Sequence, residues 1–348
     1  MKYKTLNQIA TNFRYGKMPD KSKITDSGDY PVWSGYRYVG FYDGKNVNKD
    51  EIVVVARGVG GTGDVKICKE DCFLTNLSIA FNVNEDINPL YVYYYYQIKN
   101  LRYLDSGSAQ SQITINDLKN VKIPIPSKNI QDKIVEVLNK LDQRIELNNE
   151  INNNLYEEAV ALYKDKFKGI GQGKKTIGDY IVPKRGKNLL TRDAIDGDTP
   201  VVAGGIAPSA YHNQFNTKSP VITISASGAN AGYTNLWNIP VWASDCSYID
   251  DSITKNVYFW YIVLKSRQNE IFDAQTGSAQ PHIYPQHIAE MSIGELNIAE
   301  VEKYNNLVEP LFKMIGENQK ENKKLSQLRD ILLPKLMNGE IDLDNIEI

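Results

Sequence analysis

Ile134-Val-Glu-Val-Leu-Asn-Lys-Leu-Asp-Gln-Arg-Ile-Glu-Leu-Asn-Asn-Glu-Ile-Asn-Asn-Asn-Leu-Tyr-Glu-Glu-Ala-Val-Ala-Leu162 reads as one long amphipathic helix. Its apolar residues Ile134, Leu138, Leu141, Ile145, Leu155, Ala159 and Leu162 alternate in steps of four and three, and the two steps left open hold Asn148 and Asn152. Pro124-Ile-Pro-Ser127 precedes it, so the helix is expected over about Ile130 to Lys166, capped by Ser127 or Asn129. The same seam returns 170 residues later: Tyr304, Val308, Leu311, Ile315, Asn318, Asn322, Leu325, Arg329 and Leu332. This second helix is expected from about Ala299 to Met337, with Pro334 kinking or ending it near Leu333.

Asparagine in a seam penalises every register that sets it against hydrocarbon. One antiparallel register satisfies both pairs, Asn148 opposite Asn322 and Asn152 opposite Asn318. It also sets Leu138 against Leu332, Ile145 against Leu325, Leu155 against Ile315 and Leu162 against Val308. Its one poor match is Leu141 opposite Arg329, whose stem can lie along the leucine while its head reaches water. A helix of this size is roughly 50 Å long.

What precedes each helix is also written twice. Arg14-Tyr-Gly-Lys17 matches Lys184-Arg-Gly-Lys187, Gly28-Asp-Tyr-Pro-Val32 matches Gly197-Asp-Thr-Pro-Val201, and Gly107-Ser-Ala-Gln110 recurs as Gly277-Ser-Ala-Gln280. The apolar strand Ile52 to Val55 answers Val221 to Ile224, and the aromatic run Tyr91–Tyr96 answers Val257–Tyr261. Shared words in one order at a near-constant offset define a tandem duplication. The segments between are short, β-branched or aromatic, and punctuated by Gly, Asp, Asn and Pro, with one helix expected over Pro89–Leu104. The fold class is therefore α+β: two tandem mixed domains, each followed by a long helix, the helices forming an antiparallel coiled coil with pseudo-two-fold symmetry. The expected boundaries are 1–126, 127–168, 169–296 and 297–348.

Composition narrows the partner. A net charge of −2 argues against a uniformly basic nucleic-acid binder, but the charge is uneven. Residues 1–25 carry Lys2, Lys4, Arg14, Lys17, Lys21 and Lys23 against Asp20 alone, and residues 174–192 carry Lys174, Lys175, Lys184, Arg185, Lys187 and Arg192 against Asp179 alone. Half-turn symmetry with a rigid spacer is a geometry for touching DNA at two separated places. No run approaches the length of a membrane span and no signal peptide is visible, so a cytoplasmic protein is expected. The three cysteines fit that compartment as unpaired structural thiols, with no disulfide framework and no metal site.

Two stretches imitate enzyme motifs. Gly58-Val-Gly-Gly-Thr-Gly63 satisfies a dinucleotide-binding spacing, but Asp64 to Cys68 continues as strand, so a hairpin turn is expected. Asn88-Pro-Leu-Tyr91 approaches the Asn-Pro-Pro-Tyr of adenine methyltransferases but lacks the second proline. No P-loop occurs, and Asp117, Asp250 and Asp251 form no recognisable nuclease cluster. No catalytic residue is assigned.

The order of domain, Gly-Ser-Ala-Gln, Ile113-Thr-Ile-Asn-Asp-Leu118, Ile123-Pro-Ile-Pro126 and long helix resembles Type I restriction-modification specificity subunits. So does the ending Leu328-Arg-Asp-Ile-Leu-Leu-Pro-Lys-Leu-Met-Asn-Gly-Glu-Ile341. The resemblance implies two target-recognition domains, each reading half of a bipartite, gapped double-stranded DNA site. It implies spacer helices that dock two methyltransferase (modification) subunits, with motor-nuclease (restriction) subunits in the full complex. S-adenosylmethionine, ATP and Mg2+ then belong to those partners, and this chain has no cofactor and no catalytic role. Pro281-His-Ile283 departs from Ser111-Gln-Ile113, and the domains diverge in their middles, so two different half-sites are expected.

For phosphate contact the candidates are Arg14, Lys17, Lys21, Lys23, Lys184, Arg185, Lys187 and Arg192, the X-Gly-Lys core suiting a turn that exposes an amide and a lysine together. For base reading they are Trp33, Ser34, Tyr36, Arg37 and Arg57, with Tyr211, His212, Asn213 and Asn230 in the second half. The Gly-Ser-Ala-Gln turns fit anion-holding turns and structural hinges equally. Two other readings stay open: the recognition module of another methyltransferase or nuclease system, and a coiled-coil adaptor without a DNA role.

Overall fold

The structure, a computed structural model, describes residues 2–58, 61–105, 111–277, 280–341 and 343. The chain divides into two compact units, residues 1–144 with 324–348, and residues 145–323.

The first unit begins with β1 (Lys2–Thr5), α1 (Leu6–Ile9), β2 (Ala10–Tyr15), β3 (Tyr30–Ser34) and β4 (Arg37–Tyr42). It continues with β5 (Ile52–Val55), β6 (Val65–Ile67), β7 (Phe73–Leu74), β8 (Ser78–Val83), α2 (Pro89–Ile98), α3 (Ile115–Lys119) and β9 (Lys122–Ile125), and α4 (Lys128–Lys166) starts within it. A four-stranded antiparallel sheet runs β2-β8-β5-β6, and a three-stranded sheet runs β4-β3-β7 with β3 parallel to β7. β1 and β9 close a separate pair. β5 is apolar throughout because it is buried on both faces: Ile52 and Val54 enter the core beneath α2, while Val53 packs with Val47, Cys72 and Leu74 between the sheets.

The second unit repeats this plan with β10 (Lys175–Thr176), β11 (Lys184–Arg185), β12 (Thr199–Val202), β13 (Ala210–His212), β14 (Val221–Ser225), β15 (Thr234–Trp237), β16 (Trp242–Ala243) and β17 (Cys246–Asp250). Then come α5 (Val257–Ser266), α6 (Gln268–Asp273), α7 (Pro285–Ala289), β18 (Ser292–Ile293) and α8 (Ile298–Met337). Its sheets run β11-β17-β14-β15 and β13-β12-β16, again with one parallel pairing, and β10 pairs with β18. The duplicated words are thus a duplicated topology.

In the second unit the seam residues meet in the antiparallel sense. Asn148 Nδ2 donates to Asn322 Oδ1 at 2.8 Å, Asn318 Nδ2 donates to Asn152 Oδ1 at 2.8 Å, and the Tyr304 hydroxyl donates to the Ala159 carbonyl at 2.8 Å. In the first unit the Arg329 head reaches the surface as expected, 30% exposed, but is bonded there rather than left to water alone. It donates to Asp142 Oδ1 at 2.8 Å, because a carboxylate one residue beyond Leu141 offers a charged acceptor there.

Several boundaries differ from expectation. The aromatic helix stops at Ile98 rather than Leu104, and Arg102–Leu104 form a separate 3-10 turn. α4 opens at Lys128, which puts Asn129 inside it and leaves Ser127 at the entry, its carbonyl accepting from the Gln131 amide. α8 runs through Pro334 to Met337. Leu333, Leu336 and Met337 are buried in the first core, so packing holds the last turn despite the missing proline donor.

Both enzyme look-alikes resolve into structure. β5 and β6, which flank Gly58–Gly63 in sequence, pair antiparallel, so a strand and not a helix follows the glycines; residues 59 and 60 lie outside the described residues. Asn88 caps α2, accepting from the Leu90 amide and donating to Asp132 of α4. Asp117 closes a capping box with Thr114, and Asp250 holds the Lys218 and Ser252 amides. Among the described residues no group of three or more His, Cys, Asp or Glu could hold a metal ion, and no helix is long and apolar enough to cross a membrane.

Candidate nucleic-acid interface

The duplicated Gly-Lys words sit at one place in both units, just past the strand that edges the four-stranded sheet. A Cβ on Gly16 would stand 2.3 Å from the Thr75 carbonyl oxygen and 2.4 Å from that of Leu74; on Gly186 it would stand 2.4 Å from the Ser244 oxygen and 2.5 Å from that of Ala243. Only glycine lets the chain pass this close. The following lysine amides donate to the Leu74 and Ala243 carbonyls at 2.9 Å, so the expectation of a free backbone amide is overturned. What the turns present is the lysine side chain. Lys17 and Lys187 are both exposed.

The basic residues beside them divide by role. The Arg14 guanidinium donates to Glu51 Oε1 at 2.9 Å and to the Asn46 carbonyl at 2.9 Å, and Glu51 is buried. Arg185 donates to Asp245 at 2.5 Å and lies 6.0 Å over the Tyr284 ring, and Asp245 is also bonded by the Ser227 hydroxyl. Both arginines are internal struts before they are anion ligands. Lys184 is exposed on β11. Lys21 and Lys23 stand exposed on a 3-10 turn capped by Asp20, whose carboxyl is held below its ordinary range by the Ser22 hydroxyl and amide. Arg192 is exposed on the 3-10 turn Thr191–Asp193, with Asp193 at 3.7 Å.

In the first unit the β3–β4 turn carries Ser34, Tyr36 and Arg37. Arg37 lies 5.2 Å over the Tyr36 ring and bonds its hydroxyl at 3.1 Å, both residues being exposed. Trp33 is half-buried, edge-on to Tyr38 and capped by Lys66 at 5.7 Å. Ser34 lies within 3.4 Å of the Thr75 hydroxyl. Arg57 follows β5, lies 5.8 Å over the Tyr15 ring, and its Nε has no hydrogen-bond partner among the described residues.

In the second unit the expectation for His212 fails. His212 is buried, its Nδ1 accepts from the Ile195 amide at 3.0 Å, and its ring packs edge-on against Trp242. Strand alternation along β13 turns Tyr211 outward and His212 inward. Tyr211 is exposed beneath Lys323 at 5.0 Å, Asn213 is exposed, and Asn230 ends the half-exposed turn Gly228–Asn230. Sequence reasoning passed over Tyr38, Lys66, Tyr284 and Lys323. Alternation with Tyr36 could have found Tyr38, whereas the others meet partners far away in the chain. Gly107–Gln110, Ser278 and Ala279 lie outside the described residues.

Residues 1–157, which hold the first of these two basic and aromatic arrangements, match the family model described as Type I restriction modification DNA specificity domain. The family model, the relatives and the solved structure that match this chain are all of Type I restriction-modification specificity subunits. It is 26% identical to a putative type I specificity subunit of Mycoplasma pneumoniae, over 96% of this chain and 95% of that one. It is 27% identical to the MjaIX specificity subunit of Methanocaldococcus jannaschii, over 74% of this chain and 70% of that one. Its fold is similar to that of a crystallised Type I S subunit from M. genitalium, with a TM-score of 0.64 at 22% identity, covering 96% of this chain and 95% of that one.

Proposed function

We propose that this chain is a specificity subunit that binds double-stranded DNA at a bipartite, gapped target and directs adenine methylation by two modification subunits, without catalysing any step. Where motor-nuclease subunits join, it directs restriction too. In this reading residues 1–126 and 169–296 are the reading heads, residues 127–168 and 297–348 are the spacers, and the complex works in the cytoplasm. S-adenosylmethionine, ATP and Mg2+ belong to the partner subunits.

The observation that carries the reading is the exposed lysine after a sterically required glycine, at the same topological place in two units of identical strand order. Lys17, Lys21 and Lys23 in one head, and Lys184, Lys187 and Arg192 in the other, set position on phosphates. Trp33, Ser34, Tyr36, Arg37 and Arg57 face bases in the first half-site, and Tyr211, Asn213 and Asn230 in the second; arginine suits guanine and asparagine suits adenine. The side chains differ between heads while the scaffold does not, so the half-sites differ in sequence.

The test is a genome-wide methylation map of cells carrying the modification subunits, with and without this chain. A two-part adenine mark with a fixed gap should appear only when the chain is present. An unchanged map, together with binding of the assembled complex that ignores salt, would leave a coiled-coil adaptor as the reading.

A further inference from the structure

The first unit holds a pair of cysteines that the reading of DNA does not use. Cys68 ends the β6 hairpin and Cys72 precedes β7, and their sulfurs lie 3.6 Å apart. Both line a cavity of about 590 Å³ in the first unit, whose walls include Trp33, Lys66, Tyr93 and Tyr96. Cys72 is buried and Cys68 is half-exposed, so the cavity reaches the pair through Cys68.

The cavity follows from a difference between the two units. Cys68 succeeds Ile67, which pairs with Ile52; Trp237 succeeds Leu236, which pairs with Ile222. A small thiol therefore stands in the first unit where an indole fills the layer between the sheets in the second. The surrounding backbone is tied down on both sides. The Cys68 amide donates to the Glu51 carbonyl, the Asp50 amide donates to the Cys68 carbonyl, and Cys72 exchanges amide bonds with Val47. The sulfurs are thus held in contact by the fold.

We propose that Cys68 and Cys72 are a redox-active dithiol, oxidised to an intramolecular disulfide by a small-molecule disulfide that enters this cavity. Cys68 passes its proton to the Cys72 thiolate and attacks one sulfur of RSSR, forming a Cys68–S–S–R bond and expelling RS⁻, which takes up a proton. Cys72 releases its proton to solvent and attacks the Cys68 sulfur, forming the Cys68–Cys72 bond and expelling the second RS⁻. The dithiol loses two electrons and RSSR becomes two RSH. The sulfurs must close by about 1.5 Å to reach bonding distance, a movement within side-chain rotation. Hydrogen bonding between the sulfurs holds the Cys72 thiol below its ordinary range and pushes the Cys68 thiol above it, burial adding to the rise at Cys68 and opposing the fall at Cys72, so the pair carries its thiolate on Cys72 at rest. The order of attack follows exposure, because only Cys68 meets the entering molecule and its proton has Cys72 as an acceptor in contact. Cys246 is buried in the second unit and takes no part.

The experiment treats the full-length chain with oxidised glutathione and counts thiols in denaturant. The count should fall from three to one, with an intact mass lower by two hydrogens and peptide mapping that leaves Cys246 free. Cys72→Ser should trap a stable glutathione adduct on Cys68. Cys68→Ser should react at Cys72 at least about tenfold more slowly, because the remaining thiol is buried. Three thiols surviving the treatment, or adducts retained on both cysteines without closure, would overturn the pair. Equal rates in the two serine variants would overturn the order of attack. The wild-type thiol count needs no folded variant and decides the central claim by itself.

Discussion

Gly16 and Gly186 illustrate how one residue fixes the turn that presents an exposed lysine. A methyl group at either would press on backbone carbonyls at 2.3–2.5 Å, and backbone cannot turn aside as a side chain can. Gly16→Ala and Gly186→Ala should each destabilise their unit by about 2 kcal/mol in urea unfolding, whereas Gly44→Ala, with nothing within 4 Å, should stay close to wild type. The neighbouring cations should separate by assay. Arg14→Ala strands the buried Glu51 carboxylate and should lower stability by about 3 kcal/mol. Lys17→Ala should leave stability unchanged and, under the proposed function, reduce the salt slope of DNA binding by about 1, as expected for the loss of one phosphate contact. Equal stability losses in the two variants would sink the division of labour between them.

At the scale of elements, the long helices carry their polar layer for register rather than for strength. Asn148 is fully buried, and its amide donates to both Asn322 and Glu321. Asn148→Leu or Asn322→Leu alone leaves an amide facing hydrocarbon and should cost about 1–3 kcal/mol. The double substitution should recover stability to at least the level of either single variant, since neither partner is then stranded; a double variant as weak as the sum of the singles would refute direct pairing. This layer and the helices were legible in the sequence because a seam of steps of four and three repeats over many turns, and the duplication confirms it by recurrence. The sheet order was not, because β3 meets β7 through residues as distant as Val32 and Phe73, and no local pattern encodes that pairing. The Gly-Lys turns were visible as words, but their meaning depends on carbonyls contributed some 60 residues away. His212 was misplaced for a smaller reason: a strand of three residues is too short for its inward and outward positions to be read from alternation.

At the scale of the molecule, the first unit is not a continuous stretch of chain, and the second lies between its two parts in sequence. The first unit is completed by residues 324–348, and its core beneath α2 includes Leu333, Leu336 and Met337 together with Ile134 and Leu138 of α4. Burying three such side chains contributes several kcal/mol, about 1.5–3 each, which is comparable to the whole stability of a small domain. The second unit draws the α8 part of its core from residues before 324, Tyr304, Val308, Phe312 and Ile315 among them. Ending the chain after Lys323 should therefore strip the first unit and spare the second, although the missing residues lie next to the second in sequence. Proteolysis of the truncated chain should destroy residues 1–144 first and leave a resistant fragment around 145–323, and hydrogen exchange should rise in β5 and β8 while staying low in β14 and β17. Under the proposed function, the same truncation should abolish recognition of a gapped target by the assembled complex, because only one of the two proposed reading heads would remain folded. Loss of protection first in β14 and β17 would show that the units are divided along the sequence after all, and the interleaved architecture would fall with it.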